Sequence, residues 1–310
     1  MTRNPWKLDQ GSSGSSAGPA AATAAGLVAF SIGSETLGSI SSPSTRCGVT
    51  GLRPTYGRVS RHGAMALSWS MDKIGPMCRT VEDCALVLSA IYGPDQRDPT
   101  VKDVAFNWDA RLPLGSLRIG YYKSAFEQTN QPGERNTFDQ AALEVMRRLV
   151  PNLIEVELPA TRDFPIGAIG SSILSIEAAA AFDELTRGEA DNLMVPEPER
   201  STWPATFRAA RLVPAVEYIN ANRARTLLMQ KMHEALKAVD VLFMPNTALQ
   251  LTNLTGHPQI ALPAGFNTNG TPVTICFLAQ LYAEDKLLRV AQAWQDATDH
   301  HLKYPPLFSV

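Results

Sequence analysis

The chain has 310 residues, 45% of them hydrophobic and 19% charged, with 28 Lys and Arg against 30 Asp and Glu for a net charge of −2. That composition excludes a disordered chain, and its near-neutral balance supplies no electrostatic drive toward nucleic acid or an anionic membrane. No apolar run approaches the roughly 18 residues of a membrane span, and Met1 to Gln10 lack an apolar signal core, so the expected location is the cytoplasm. Cys47, Cys78, Cys84 and Cys276 are scattered without a CxxC pair and read as reduced thiols, not as a disulfide framework or a zinc site.

In chain order, the first ten residues, with Pro5 and Trp6, read as an irregular lead-in. Gly11 to Ser16, GSSGSS, runs into an Ala-rich stretch ending near Leu27, which suits a helix. Val28 to Ile32 is a short apolar run that fits a strand, Gly33 to Gly48 is dense in Ser, Thr and Gly and too long to be a simple turn, and Val49 to Ser60 is mixed β with turns at Pro54 and Gly57. Thr80 with Asp83 resembles a capping box, after which Val81, Cys84, Ala85, Leu88 and Ile91 form a helical stripe stopped by Gly93-Pro94. Leu117 to Tyr122 is a predicted strand, Phe138 to Leu149 a helix, and Ile154, Val156 and Leu158 alternate with acids as in a half-buried strand. Ile173 to Leu185 is predicted helical. Pro214 marks the start of a helix running to about Ala238. Val241 to Met244, Ile260 to Phe266 and Val273 to Leu278 are buried strands, the last two joined by a turn at Asn267 to Gly270, and Leu287 to Trp294 is the last long helix. Glu189 to Trp203, with three prolines, reads as a surface excursion. Strands alternating with helices predict an α/β fold: a mixed sheet covered by helices.

The stretch with chemical content lies between Gly14 and Gly57. Ser39 sits in Gly38-Ser39-Ile40, where a Gly-rich loop turns toward a helix. Successive backbone N–H groups at Thr36, Leu37, Gly38 and Ser39 would converge on one oxygen, the geometry of an oxyanion hole, and Gly38 would allow close backbone approach to a substrate. A Ser/Gly-rich connection, or a linker of the kind added for expression, is the bland alternative. Continuity with an apolar helix and strand argues against the linker.

These residues resemble the amidase signature family, which includes bacterial amidases and the glutaminase subunit of the tRNA-dependent amidotransferase. The family pattern is a GSSGG-type loop, an Ala-rich helix, G-[ST]-D-x-G-G-S-I, a Pro, a Cys-Gly and a GLKPT-like turn. This chain offers Gly14-Ser15-Ser16-Ala17-Gly18, then Gly33-Ser34-Glu35-Thr36-Leu37-Gly38-Ser39-Ile40, Pro43, Cys47-Gly48 and Gly51-Leu52-Arg53-Pro54-Thr55. The segments Ser70 to Pro76, Arg79 to Asp83, Gly256-His257-Pro258 to Leu262-Pro263 and Gly270-Thr271-Pro272 extend the likeness over nearly the whole chain, and the two serine motifs stand 24 residues apart.

The resemblance implies one amidase domain over residues 1–310, a mixed and mainly parallel central sheet with helices on both faces, and hydrolysis of a carboxamide C–N bond. Ser39 would be the acyl-forming nucleophile and Ser15 the bridging serine, which in the family follows a cis peptide. The oxyanion hole would be Thr36, Leu37, Gly38 and Ser39. A lysine, neutral when it acts as base, completes the scheme. No cofactor or metal is implied. The expected partner is a small-molecule amide, without direct nucleic-acid or membrane contact. A homo-oligomer and an amidotransferase partner are both left open, as is a catalytically inactive amidase-like fragment. Helices between Ile173 and Ala238 would form part of the wall that shapes substrate choice.

Three departures matter. The family lysine lies many tens of residues before the bridging serine, whereas only fourteen residues precede Ser15, with Lys7 the sole lysine among them. The role is not carried over to Lys7. Lys73 is read as a surface or supporting cation. The expectation is therefore a domain lacking its N-terminal part and, with it, little amide hydrolysis by the chain alone. Glu35 stands where Asp is usual, and Ser41 where many members have Arg. Gly14 to Gly18 also satisfies the G-x-S-x-G of α/β-hydrolases, with His257, His300 or His301 as partner, but Asn4 to Ser13 does not read as the strand that motif requires. The acidic pairs Asp95/Asp98 and Glu197/Glu199 read as solvated loop charges, and His257 as a turn residue.

Overall fold

A computed structural model of the chain describes residues 1–127, 133–160, 163–194, 202–245 and 248–308. The strands are β1 Arg3–Asn4, β2 Lys7–Gly11, β3 Phe30–Glu35, β4 Thr50–Arg53, β5 Lys73–Cys78, β6 Ile119–Tyr122, β7 Ile154–Val156, β8 Val241–Met244, β9 Gln259–Phe266 and β10 Pro272–Ala279. β1 and β2 form an antiparallel hairpin, so the lead-in is ordered structure and a strand does precede Gly14. That strand belongs to a separate two-stranded ribbon and not to the main sheet.

The other eight strands form one sheet in the order β3-β5-β4-β9-β10-β8-β6-β7. The mixed sheet is as expected, but it is not mainly parallel. Five of its pairings are antiparallel, and only β6 with β7 and β6 with β8 are parallel. The physical reason is connection length: β9 and β10 are joined by the short turn at 267–271, which permits only an antiparallel pair, whereas parallel neighbours need a helical crossover.

Side-chain alternation along the central strands divides the core. Val241, Phe243, Ile260, Leu262, Ile275 and Phe277 face the helices Val81–Ile91, Glu134–Leu149 and Glu284–Asp296 and pack with Trp294. Leu242, Met244, Ala261, Cys276 and Leu278 face the helices Ile166–Ala181, Ala215–Leu236 and Leu249–Thr255. Both faces are therefore covered, which explains why these strands are continuously apolar.

Near the serine region a third cluster joins Ala20 and Ala24 of the helix Ala17–Ala24 to Ile40, Cys47, Val49 and Met77. The Ala-rich sequence serves close packing there. Gly33 makes it closer still, since a Cβ at that position would lie 2.9 Å from Ile40, Met77 and Ser16.

Gly33 to Gly48, too long for a simple turn, completes β3 and then forms the helix Ser41–Cys47, closed by Gly48 at φ +64°. One element departs from the expected pattern. β5 carries Gly75 and Pro76, residues that argue locally against a strand. Gly75 is required there because a Cβ would sit 2.2 Å from the Leu52 carbonyl oxygen. The Thr80 cap is as expected, its hydroxyl accepting from the Asp83 N–H. The surface excursion is described only in part, as a 3-10 turn Ala190–Leu193 and the start of the helix Trp203–Ala210. Glu197 and Glu199 lie outside the described residues.

Candidate active site

β3 delivers the chain to the loop Thr36–Ser39, and the helix Ser41–Cys47 leads away from it. Glu35, the last residue of β3, fixes that loop. Its Oε2 accepts from the N–H groups of Ile40 (2.9 Å) and Ser41 (2.7 Å) and from the Ser41 hydroxyl (2.8 Å). Its Oε1 accepts from Arg53 Nη1 (3.0 Å) and Asn253 Nδ2 (2.7 Å). Burial alone would raise this carboxyl, but Arg53, the Ser41 N–H, Lys73 and Asn253 outweigh it and hold it at about 2. Arg53 is fully buried and also donates to the His257 carbonyl at 2.6 Å. Ser41 thus supplies a hydroxyl to this network.

Thr36 is tied from the other side, its hydroxyl donating to Asp72 Oδ1 at 2.5 Å. The second Asp72 oxygen accepts from the N–H groups of Leu67 and Ser68. Gly38 has φ +135°, and a Cβ there would meet Ser42 Oγ at 3.0 Å and Leu249 Cδ1 at 3.1 Å, so the turn requires glycine. With Ile40 and Ser41 donating to Glu35, the N–H groups of Leu37, Gly38 and Ser39 have no acceptor among the described residues. Donors without an acceptor are what a developing oxyanion needs.

Ser15 follows a cis peptide bond after Gly14. Its neighbour Ser16 binds the serine loop to β3: the Ser16 N–H donates to the Ser39 carbonyl at 3.1 Å, and its hydroxyl bridges the N–H and carbonyl of Ser34 at 3.2 Å each. Ser15 and Ser39 both face one cavity of about 960 Å³, with Thr36, Asp72 and Lys73 also in its wall. Leu37 and Gly38 do not line it. Leu37 packs instead beside the core that includes Leu251 and Leu254.

The surface half of the expectation for Lys73 fails. This residue is not a surface cation: it pairs with Glu35 across β3 and β5 and is only 2% exposed. Its amine donates to the Met71 carbonyl. Burial, reinforced by the nearby Arg53 charge, lowers its pKa well below 10.5 and moves it toward the neutral amine. The register of β3 on β5 is the missing signal, and it cannot be read without recognising β5. Glu177 was also missed. Its carboxylate accepts from Ser68 Oγ (2.5 Å), the Ser70 N–H (3.0 Å) and Tyr218 OH (2.7 Å). Burial raises this carboxyl, but the bonds from Ser68, Ser70 and Tyr218 prevail and lower it.

His257 does not line the cavity. It is 4% exposed, its Nδ1 lies 2.9 Å from Thr255 Oγ1, and burial with Arg53 nearby lowers it to about 4. His300 and His301 lie in a 3-10 turn near the C-terminus and do not line it either. The far wall comes from residues between 177 and 218, including Phe182, Met194, Trp203, Phe207 and Tyr218.

A family profile described as Amidase matches residues 1–252. Among curated proteins, the chain is 35% identical to a glutamyl-tRNA(Gln) amidotransferase subunit of Roseiflexus castenholzii, over 98% of this chain and 70% of that protein. Among solved structures, the peptide amidase of Stenotrophomonas maltophilia superposes with a TM-score of 0.82 at 27% identity, covering 100% of this chain and 70% of that one. The corresponding glutamyl-tRNA(Gln) amidotransferase subunit of Thermotoga maritima superposes with a TM-score of 0.78 at 27% identity, covering 94% and 67%.

Proposed function

The chain belongs to the amidase family, hydrolases of amide C–N bonds, and from that premise we propose that Ser39 is its acyl-forming nucleophile and Ser15 the bridging hydroxyl. One observation carries this reading: the two serines face the same cavity, beside a loop whose N–H groups at Leu37, Gly38 and Ser39 are unpaired among the described residues. Ser39 Oγ attacks the carbonyl carbon of the amide, and the carbonyl oxygen takes the developing negative charge toward the Thr36–Ser39 N–H groups. The Ser39 proton passes to the Ser15 hydroxyl as Ser15 gives its own proton to the departing nitrogen. The amine or ammonia leaves with a proton, and water then releases the acid and restores Ser39. The substrate is a small-molecule amide. The proposed location is the cytoplasm, supported by four free, buried cysteines. No helix among the described residues is long and apolar enough to cross a membrane.

A fluorophosphonate probe followed by peptide mass spectrometry tests the assignment. Label is expected on Ser39, absent in Ser39→Ala and slowed in Ser15→Ala. Label at another residue, or equal labelling of Ser39→Ala, would sink it.

A second reading, the glutaminase subunit of a tRNA-dependent amidotransferase, is favoured by the identity to the Roseiflexus castenholzii amidotransferase protein. It requires glutamine to be preferred over simple amides and a tRNA-binding subunit to co-purify. Failure of both excludes it.

A further inference from the structure

At about 960 Å³ the cavity stands near the top of the roughly 300–1,000 Å³ typical of ligand sites, far more than the amide group needs. Its far wall is aromatic. Phe182 and Phe207 stack at 4.8 Å with 15° between their planes, and Trp203 continues the stack on Phe207 at 5.6 Å and 27°. Phe207 is 2% exposed and anchors the stack, whereas Trp203 is 41% exposed and presents an indole to the cavity. The carboxylates in the wall are all engaged: Glu177 by Ser68, Ser70 and Tyr218, Asp98 by Arg61, and Asp72 by Thr36, Leu67 and Ser68. Asp98 is neutralised by Arg61, whereas Glu177 and Asp72 are held by hydroxyl and backbone N–H donors that leave their charge in place.

We propose that the Phe182–Phe207–Trp203 stack binds an aryl group of the substrate, so that the substrate class is carboxamides carrying an aromatic ring. The inference takes the position of the reacting amide from the Ser39 assignment, but the ring contact stands on the stack itself. A phenyl ring buried against stacked aromatics gains both apolar burial and favourable offset or edge geometry.

The test is calorimetric titration of the full chain carrying Ser39→Ala, which separates binding from turnover, with 4-phenylbutanamide, butanamide and glutamine. 4-Phenylbutanamide is expected to bind about ten- to a hundred-fold tighter than butanamide, the range that burying one ring implies. Adding Trp203→Ala should weaken the aryl amide about three- to ten-fold and leave butanamide unchanged, and Trp203→Phe should recover most of the loss. Trp203 is exposed enough for its removal to leave the fold intact. Equal affinity for butanamide, tighter binding of glutamine, no detectable aryl amide binding, or indifference to Trp203→Ala would each overturn the proposal. Aryl binding as expected without probe labelling of Ser39 would retain this inference and overturn the serine assignment. Labelling of Ser39 without aryl preference would do the reverse.

Discussion

Replacing Glu35 with Gln is the most direct probe of how the serine loop is held. Five donors converge on the two oxygens of this carboxylate: two backbone N–H groups, a hydroxyl, a guanidinium and an amide. Whichever way the Gln amide turns, its NH2 faces at least two of those donors, and the buried Arg53 loses its counter-charge. Removing one partner of a buried ion pair costs about 3–5 kcal/mol. The displacement of Glu35 from its ordinary 4.5 to about 2 points to about 3 kcal/mol from an independent direction. Urea unfolding followed by tryptophan fluorescence at pH 7 should therefore show Glu35→Gln destabilised by about 3 kcal/mol.

The pH dependence sharpens the test. The unfolded chain takes up the Glu35 proton near 4.5 while the folded protein resists to about 2. Between those values the unfolded state binds more protons, so the contribution is complete above 4.5 and lost as pH falls toward 2. Protonated Glu35 leaves Arg53 as unpaired as Gln does, so the gap between wild type and variant should narrow through that window. A variant within about 1 kcal/mol of wild type at pH 7, against the expected cost of breaking a buried pair, would refute the reasoning. So would a gap unchanged at pH 3.

Lys73→Met should be more stable than wild type at pH 7 and show a flatter stability profile above it. The unfolded lysine keeps its proton up to about 10.5 while the buried amine releases it well below, so wild-type stability rises with pH across that gap; identical slopes in urea titrations of the two proteins would count against this. Gly38→Ala places a Cβ at φ +135° against Ser42 and Leu249 and should cost about 1–3 kcal/mol. It should also slow probe labelling of Ser39 by about ten- to a hundred-fold, as the donors leave their alignment, and unchanged labelling kinetics would contradict the oxyanion assignment. β3 is an edge strand with Phe30 and Ile32 about half exposed, so Ile32→Lys should reduce self-association in light scattering, an effect absent if that edge is inert.

The sequence by itself determined the elements whose signal is local. The Thr80 cap, the helical stripe after it, the apolar runs at 241–244, 260–266 and 273–278 and the last helix all depend on neighbours within a turn or two of chain. The 24-residue spacing of Ser15 and Ser39, with the glycine between Leu37 and Ser39, carried the family and the chemistry for the same reason, since a tight loop is specified by its own residues. Only the tertiary structure decided the rest. Pro76 and Gly75 hide β5 from any local reading, and with β5 hidden nothing reveals that Lys73 lies opposite Glu35. Strand direction was misjudged because alternation records which face is buried, not which way the neighbour runs. Glu35, Arg53, Asn253 and His257 form one buried network although 222 residues separate its ends, and along the chain each reads as an ordinary polar residue. A charge in sequence looks the same whether it is solvated or buried. What separates the two cases is the set of partners that the fold brings within hydrogen-bond distance.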